Sequence, residues 1–366
     1  MINKGEAGAQ TGGYGRMGAY MQQLLFTSAN EASAYMRDTG RTADEGMILF
    51  ASADLVSELS GNASPDTILC STAGEYTCKG YKDGVITGFQ YSKKEAEIVE
   101  IPYPAIKSIN SLKKAYEKVK DNKNAFMLLL CDGLSQTEES VLSTFYFMAP
   151  DFKIIGGSAG DNLKFQETYI FIGQKRVCNA AIFFNSSRRT SIMKENIYTQ
   201  TGKELLVTSA DILNRTVKTF NNSPASTEYA KAIGVSEKEL PDYFMNNPFG
   251  KNYEDDIFIA SPMKVNSDKS ITFYCELMEN TFLQVLKAEA PLQILRETIK
   301  RAEFKPSFVF SVNCILRSLK FLQDKTWAGF DREMLAFCEN TAGFISYGEQ
   351  YYRNHSNQTM VLLLVE

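Results

Sequence analysis

A single histidine, His355, and a single tryptophan stand in the 366 residues of this chain. One imidazole rules out a histidine-rich zinc site, and it leaves one candidate base for any serine nucleophile. Cysteine is sparse as well: seven residues, an odd number, with no C-x-x-C pair. Most lie in apolar strand-like runs, where a reduced thiol packs as a small hydrophobe. That usage excludes a disulfide framework and points to the cytoplasm. Long apolar runs are missing too. FMLLL and VLLLV have strand length, well short of the ~20 residues that span a bilayer. The opening MINKGEAGAQTGGYGRMGAY lacks the apolar core of a signal peptide, so residues 1–40 read as a flexible, Gly-rich lead-in. Net charge is −4 with no Lys/Arg-rich run, which argues against nucleic acid as a partner.

What is present is a pattern that returns. In the first copy MILFAS (47–52) is a strand, ADLVSEL a short helix and TILC (67–70) a strand ending in the turn STAGE, with DGVITGFQYS as the returning strand. In the second, FMLLLC (126–131) is followed by a helix whose stripe is Val141, Leu142, Phe145 and Met148. Ser135 and Glu138 have capping-box spacing before it, and Pro150 ends it. FKII then leads into GGSAGDN. TYIFIG (168–173) and VCNAAIFF (177–184) read as a hairpin. In the third, SFVFSVN, CILRSLKFLQ, GFISYGEQ and TMVLLLV repeat the order. The expected fold is α/β: a two-part layered domain with mixed sheets built from repeated strand-helix-strand-strand units. Strand–helix–strand connections of this length favour parallel pairs, which places the turns at the carboxyl ends of strands, where open α/β sheets bind ligands. Helical and hairpin segments of a different character, from SPASTEYAKAIG onward, separate the second copy from the third. They place a domain boundary near 222, giving domains 41–222 and 223–366.

The run from Gly156 to Gly160 has the spacing G-x-S-x-G. A nucleophile elbow needs a helix directly after the serine. Here DNLKFQETYIFIG has no helical period and leads into a strand, so Ser158 is not expected to be a nucleophile. The other reading is a ligand cradle. Small residues let backbone N–H groups approach a carboxylate or phosphate, with Ser71, Thr72 and Ser158 as hydroxyl donors. Glu75, Asp132, Asp161 and Glu349 could face an amino group, and Arg317 a carboxylate. The plainer alternative is that the glycines only turn the chain and the acids cap backbone groups or pair with Arg317. The three turns, 71–75, 156–161 and 347–350, are expected to meet in space.

The stretches CSTAGE, CDGLSQTEE, IIGGSAGDNLKFQETYIF and GFISYGEQYYRNHSNQTMVLLL, with SVNCILR between the last two, resemble a FIST-domain protein from roughly residue 40 onward. The positions carried over are Gly74, Asp132, Gly133, Gly157, Ser158, Gly160, Asp161, Arg317, Glu349 and His355. The resemblance implies an intracellular sensory input module that binds small ligands, amino acids among them. It also implies a signalling partner such as a histidine kinase, cyclase or chemoreceptor. No output module follows the last strand, so the expectation is a stand-alone sensor that signals through a separate protein. A subset of the family resembles haem-containing nitric oxide responders, for which His355 would be the only imidazole ligand here. The cofactor expectation is otherwise none.

Overall fold

The computed structural model describes residues 21–38, 44–253 and 256–366. Its body is built from three copies of one unit. The first runs β1 (Met21–Phe26), α1 (Ala29–Arg37), β2 (Glu45–Ala51), α2 (Ala53–Ser60), β3 (Thr67–Ser71), a small hairpin β4–β5 (Glu75–Thr77, Gly80–Lys82) and β6 (Ile86–Ser92). The second runs β7 (Ala96–Ile101), α3 (Ile109–Glu117), β8 (Phe126–Cys131), α4 (Glu138–Tyr146), β9 (Ile154–Ser158), β10–β11 (Ile170–Ile172, Lys175–Val177) and β12 (Asn179–Phe184).

The third copy begins with β13 (Thr190–Asn196) and is interrupted by an inserted lobe. The lobe comprises β14 (Tyr198–Asp211), β15 (Thr216–Phe220), β16 (Ser223–Pro224), α5 (Ala225–Ile233), α6 (Leu240–Tyr243), β17 (Phe249–Tyr253), β18 (Asp256–Ala260), β19 (Pro262–Val265), β20 (Ile271–Phe273) and β21 (Phe282–Ala288). The copy then resumes with α7 (Pro291–Lys300), β22 (Phe308–Cys314), α8 (Ile315–Gln323), α9 (Trp327–Phe337), β23 (Thr341–Ser346), β24 (Glu349–Tyr351), β25 (Asn354–Ser356) and β26 (Thr359–Val365).

Each copy forms the heart of a six-stranded sheet, with orders β1-β6-β2-β3-β10-β11, β7-β12-β8-β9-β24-β25 and β13-β26-β22-β23-β4-β5. The central pairs β2/β3, β8/β9 and β22/β23 are parallel. The last two strands of every sheet come from another copy. Copy one lends its hairpin to sheet three, copy two to sheet one and copy three to sheet two.

The central strands are buried on both faces, as parallel pairs covered by helices must be. In β8, Phe126, Leu128 and Leu130 face a core shared by all three sheets, while Met127, Leu129 and Cys131 face α3 and α4. The shared core includes a stacked pair, Phe50 on Phe344, with ring centroids 4.6 Å apart. The lobe has its own core around Phe220, Tyr229, Phe249 and Phe273. Its helix α5 stops at Gly234, where φ of +78° suits glycine.

Two expectations change. Residues 21–37, assigned to the lead-in, form β1 and α1, and β1 pairs with β6 along its length; residues 1–20 lie outside the described residues. The hairpin expected between 168–173 and 177–184 does not form: β10 turns back on β11, while β12 pairs with β8 and β7. The reason is the open edge of β3, which β10 covers. Position 222, where the sequence places a domain boundary, is in the turn between β15 and β16 of the eight-stranded sheet. The lobe's first strand already starts at Tyr198. All seven cysteines are unpaired. Among the described residues, no helix is long and apolar enough to cross a membrane.

The parallel pairs tolerate no added bulk at two equivalent points. A Cβ on Gly156 would lie 1.9 Å from the Leu129 carbonyl oxygen, and one on Gly343 1.9 Å from that of Ser311. Gly156→Ala should therefore cost about 1–3 kcal/mol or more in urea unfolding. Gly61→Ala, where nothing lies within 4 Å of the added carbon, is the neutral control.

Candidate functional site

The second strand of each parallel pair ends in a serine: Ser71, Ser158 and Ser346. A glycine and an acid follow within four residues, as Gly74-Glu75, Gly160-Asp161 and Gly348-Glu349. The three turns meet and exchange backbone hydrogen bonds. Gly160 N–H donates to Ser71 O (2.9 Å), Ala73 N–H to Ile345 O (2.9 Å) and Ile345 N–H to Gly74 O (2.8 Å). Ser158 N–H donates to Gly348 O (2.8 Å) and Tyr347 N–H to Ser158 O (3.0 Å). Every turn thus holds both others. The approach is close enough that a Cβ on Gly160 would lie 2.9 Å from Ala73 N, and one on Gly133 2.0 Å from Ala159 O. Gly157 packs against Phe344 and Val312, and Gly74 sits at φ +134°, where glycine is favoured.

The hub is closed. Ser71, Thr72, Glu75, Ser158, Asp161 and Glu349 are all buried, and each has partners inside the protein. Ser71 Oγ accepts from Tyr169 N–H (2.8 Å). Thr72 Oγ1 donates to Glu75 Oε1 (2.7 Å), and burial pushes Glu75 up to about 7. The Asp161 carboxylate accepts the amides of Phe165, Gln166 and Glu167 and the Tyr347 hydroxyl. Burial opposes its charge, but Tyr347 and those amides outweigh it and hold Asp161 below the usual carboxylate range. These bonds tie down a loop in which Asn162, Leu163 and Phe165 all adopt positive φ. Asp132 Oδ1 accepts from Leu134 N–H (3.0 Å) and Thr168 Oγ1 (2.5 Å). Asp161 therefore joins its turn to that of Tyr347, while Glu75 braces its own turn and Asp132 the end of the 159–168 loop.

Sequence reasoning missed the links from this hub to the inserted lobe. Ser158 Oγ donates to Glu138 Oε1 (3.0 Å), and Arg215 Nη2, from the β14–β15 turn, donates to Glu138 Oε2 (2.9 Å) and Glu139 Oε2 (2.7 Å). Glu138 was expected to close a capping box with Ser135. Instead α4 starts at Glu138 itself, and Ser135 bonds Asp132 O and Thr137. Burial works against the Glu139 carboxylate, but His355 and Arg215 leave it below its ordinary range. The sequence signal for this junction was the polar run NHSNQT, whose residues 355–359 are all buried. Ser356 and Asn357 bond both backbone groups of Ile259 in β18, and Gln358 bonds Tyr198 and Ser261.

Two alternative chemistries lack their geometry. Ser158 is fully buried, and the chain after it continues through a loop to β10 without the helix of an elbow. His355 is 4% exposed, with Nδ1 facing Gln350 at 3.3 Å. A Cβ on Gly348 would lie 2.2 Å from its Cε1 and 2.8 Å from Nε2, so Gly348 packs against the ring edge whose nitrogen would have to face a haem iron. Among the described residues no group of three His, Cys, Asp or Glu side chains is placed to hold a metal.

Arg317 does not join the turns. Its guanidinium is buried between Phe321 and Phe330 and pairs with Glu195 on β13 (2.5 Å), contacting neither Asp132 nor Glu349. The sequence suggests a carboxylate fork because it does not show which acid β13 brings under α8. Removing one member of a buried pair strands the other, so Arg317→Ala should cost about 3–5 kcal/mol without any ligand. Arg317→Met combined with Glu195→Leu should restore most of that loss in urea unfolding.

Glu349 gives a second expectation. Its Oε1 lies 2.6 Å from Ser346 Oγ, which lies 3.2 Å from Asn313 O, and its Oε2 accepts from Thr359 N–H and Oγ1. A neutral carboxyl fits: Oε1–H donates to Ser346, which donates on to Asn313. Burial pushes this group from 4.5 up to about 8. Between those values the folded chain holds a proton that the unfolded chain has released, so stability from this group is full below the lower value and lost as pH rises through the upper. Glu349→Gln preserves the bonding pattern and should flatten that decline, giving a higher melting temperature than the parent at pH 9 but little change at pH 5.

Family models match across this architecture: the FIST N domain over residues 47–223 and the FIST C domain over residues 225–352. Their junction lies within the inserted lobe, next to β16. No curated protein matches the chain. With both domain models matched in order across most of its length, the chain belongs to the FIST family, whose domains are associated with signal transduction and small-ligand sensing.

Proposed function

We propose that this FIST protein is a cytoplasmic sensor of a small ligand such as an amino acid. Its response is a shift of the inserted lobe relative to the three-sheet body, passed to a separate signalling protein. The partner would be a histidine kinase, cyclase or chemoreceptor, the company in which the family's sensory domains are found. The observation that carries the reading is the placement of Glu138: one carboxylate oxygen holds Ser158 in the hub and the other holds Arg215 in the lobe, at 3.0 and 2.9 Å. A carboxylate tied at both ends couples the two sides, because a shift of Arg215 takes away its charge partner while Ser158 holds its other oxygen. The hub in turn contacts all three copies, so a change at the lobe reaches every sheet.

The test uses the full chain and the twenty amino acids at millimolar concentration. A ligand that binds only the folded state raises the melting temperature, by the equivalent of about 2.7 kcal/mol at a hundredfold excess over Kd. Hydrogen exchange with the stabilising ligand should show protection both in the lobe and in the loop 159–167. Glu138→Gln should keep binding and lose the protection of that loop. No stabilisation by any of them, or protection that never reaches the hub, would remove this reading.

A further inference from the structure

A strand at the end of a sheet offers its unpaired backbone to another chain unless something covers it. Most of the strands that end the three body sheets have groups on their free side engaged. On β1 the Asn340 side chain accepts from Gln23 N–H (3.0 Å) and donates to Met21 O (3.3 Å). On β5 Asp331 Oδ1 accepts from Tyr81 N–H (3.2 Å), and on β13 Lys153 Nζ donates to Thr190 O (2.9 Å). The lobe meets the end of β25, where Asn357 N–H donates to Ile259 O (3.3 Å). β11 is only three residues long. The exception is β7, six residues long and last in its sheet.

The register shows which groups of β7 point outward. Asn185 N–H donates to Glu95 O (2.7 Å), in line with the pairing of Ala181 with Val99. Hydrogen-bonded pairs alternate along an antiparallel ladder. Glu97, Val99 and Ile101 therefore bond β12, while Ala96, Ile98 and Glu100 turn their backbone groups away from it. Ala96 N–H closes a local turn on Lys93 O. The amides of Ile98 and Glu100, and the outward carbonyls, have no partner among the described residues. The usual protections of an edge are weak here. The pairing of β7 with β12 runs without a bulge, and its two carboxylates are already matched, Glu97 by Lys118 (2.6 Å) and Glu100 by Lys175. Just beyond the strand, Tyr103 and Ile106 are 67% and 58% exposed, as apolar residues of an interaction surface are.

The strand AEIVEI also complements itself. Antiparallel pairing about a two-fold axis at Ile98 sets Ile98 opposite Ile98 of a second copy, Ala96 opposite Glu100, and Glu97 opposite Val99. The outward-facing residues of the two strands then meet, and no two carboxylates stand directly opposite. Moving the axis two residues toward the C-terminus brings in Pro102, which has no N–H. Moving it the other way centres it on Ala96, whose N–H is already used. We propose that β7 is a homodimerisation edge, through which two copies of this chain join their second sheets antiparallel across Ile98. Six residues make a short interface, smaller than permanent dimers use, so the association is reversible. The inference does not depend on the sensor reading.

Sedimentation velocity of the full chain over a dilution series should show a monomer–dimer equilibrium. Hydrogen exchange should show the amides of residues 96–101 slowing as concentration rises. Glu100→Pro removes an N–H that bonds nothing within the chain, at the cost of one exposed ion pair. It should abolish the dimer and leave the melting temperature of dilute protein little changed. Ala96 lines an open cleft beside the edge, where a longer side chain has room. Ala96→Glu sets like charges opposite each other in two symmetric pairs and should weaken the dimer at least about threefold, whereas Ala96→Lys should strengthen it by a similar factor. A chain that stays monomeric up to about 1 mM overturns the proposal. So does a dimer that survives Glu100→Pro, or one that leaves 96–101 unprotected. If Glu100→Pro does not fold, the two Ala96 variants decide: equal effects of Glu and Lys on the dimer would also overturn it.

Discussion

An unpaired strand edge is the constraint on which this architecture turns. Each parallel pair in the body leaves its second strand open on one side, and an open edge is a row of unsatisfied backbone groups. The chain covers each edge with a hairpin from a different copy: β10–β11 on β3, β24–β25 on β9 and β4–β5 on β23. To reach another copy's sheet, the chain must leave each second strand through the region where the sheets meet. The three turns are thereby brought together, and the hub follows from how the edges are covered.

Equivalent positions in the hub have diverged in chemistry. Glu75 and Glu349 face hydroxyls in a dry setting and are held toward their neutral forms. Asp161, third of the set, gathers amides and a phenol and is held as a carboxylate. The serines differ too: Ser346 bonds the acid of its own turn, Ser71 takes an amide from a neighbouring loop, and Ser158 reaches out to α4. Of the three turn serines, only Ser158 reaches the inserted lobe, through Glu138 to Arg215. The lobe has its own core and a polar seat on residues 355–359.

Much of this was legible in the chain. The repeated order of strand, helix, strand and small-residue turn identified three copies, because a parallel strand buried on both faces must be a short continuous apolar run such as FMLLLC. The meeting of the turns followed from their shared place in each copy. The residue patterns could not show that the hairpins change sheets, since β10 and β12 look equally ready to pair with each other. Nor could they show the lobe's true start. The long strand β14 (YTQTGKELLVTSAD) carries few apolar residues and so lacks the signal of a buried strand.

Local sequence determined the elements and the glycine-bearing turns, because strand burial, helix stops and close backbone approach depend on residue type and spacing within a few positions. Tertiary structure alone decided which charge meets which. Arg317 found Glu195, Arg215 found Glu138 and Glu139, and the only histidine came to rest over Gly348. The ion pairs among these join residues dozens to more than a hundred positions apart. A buried ion takes whichever opposite charge the packing of sheets and lobe places beside it, and its own neighbours in sequence carry no record of that choice.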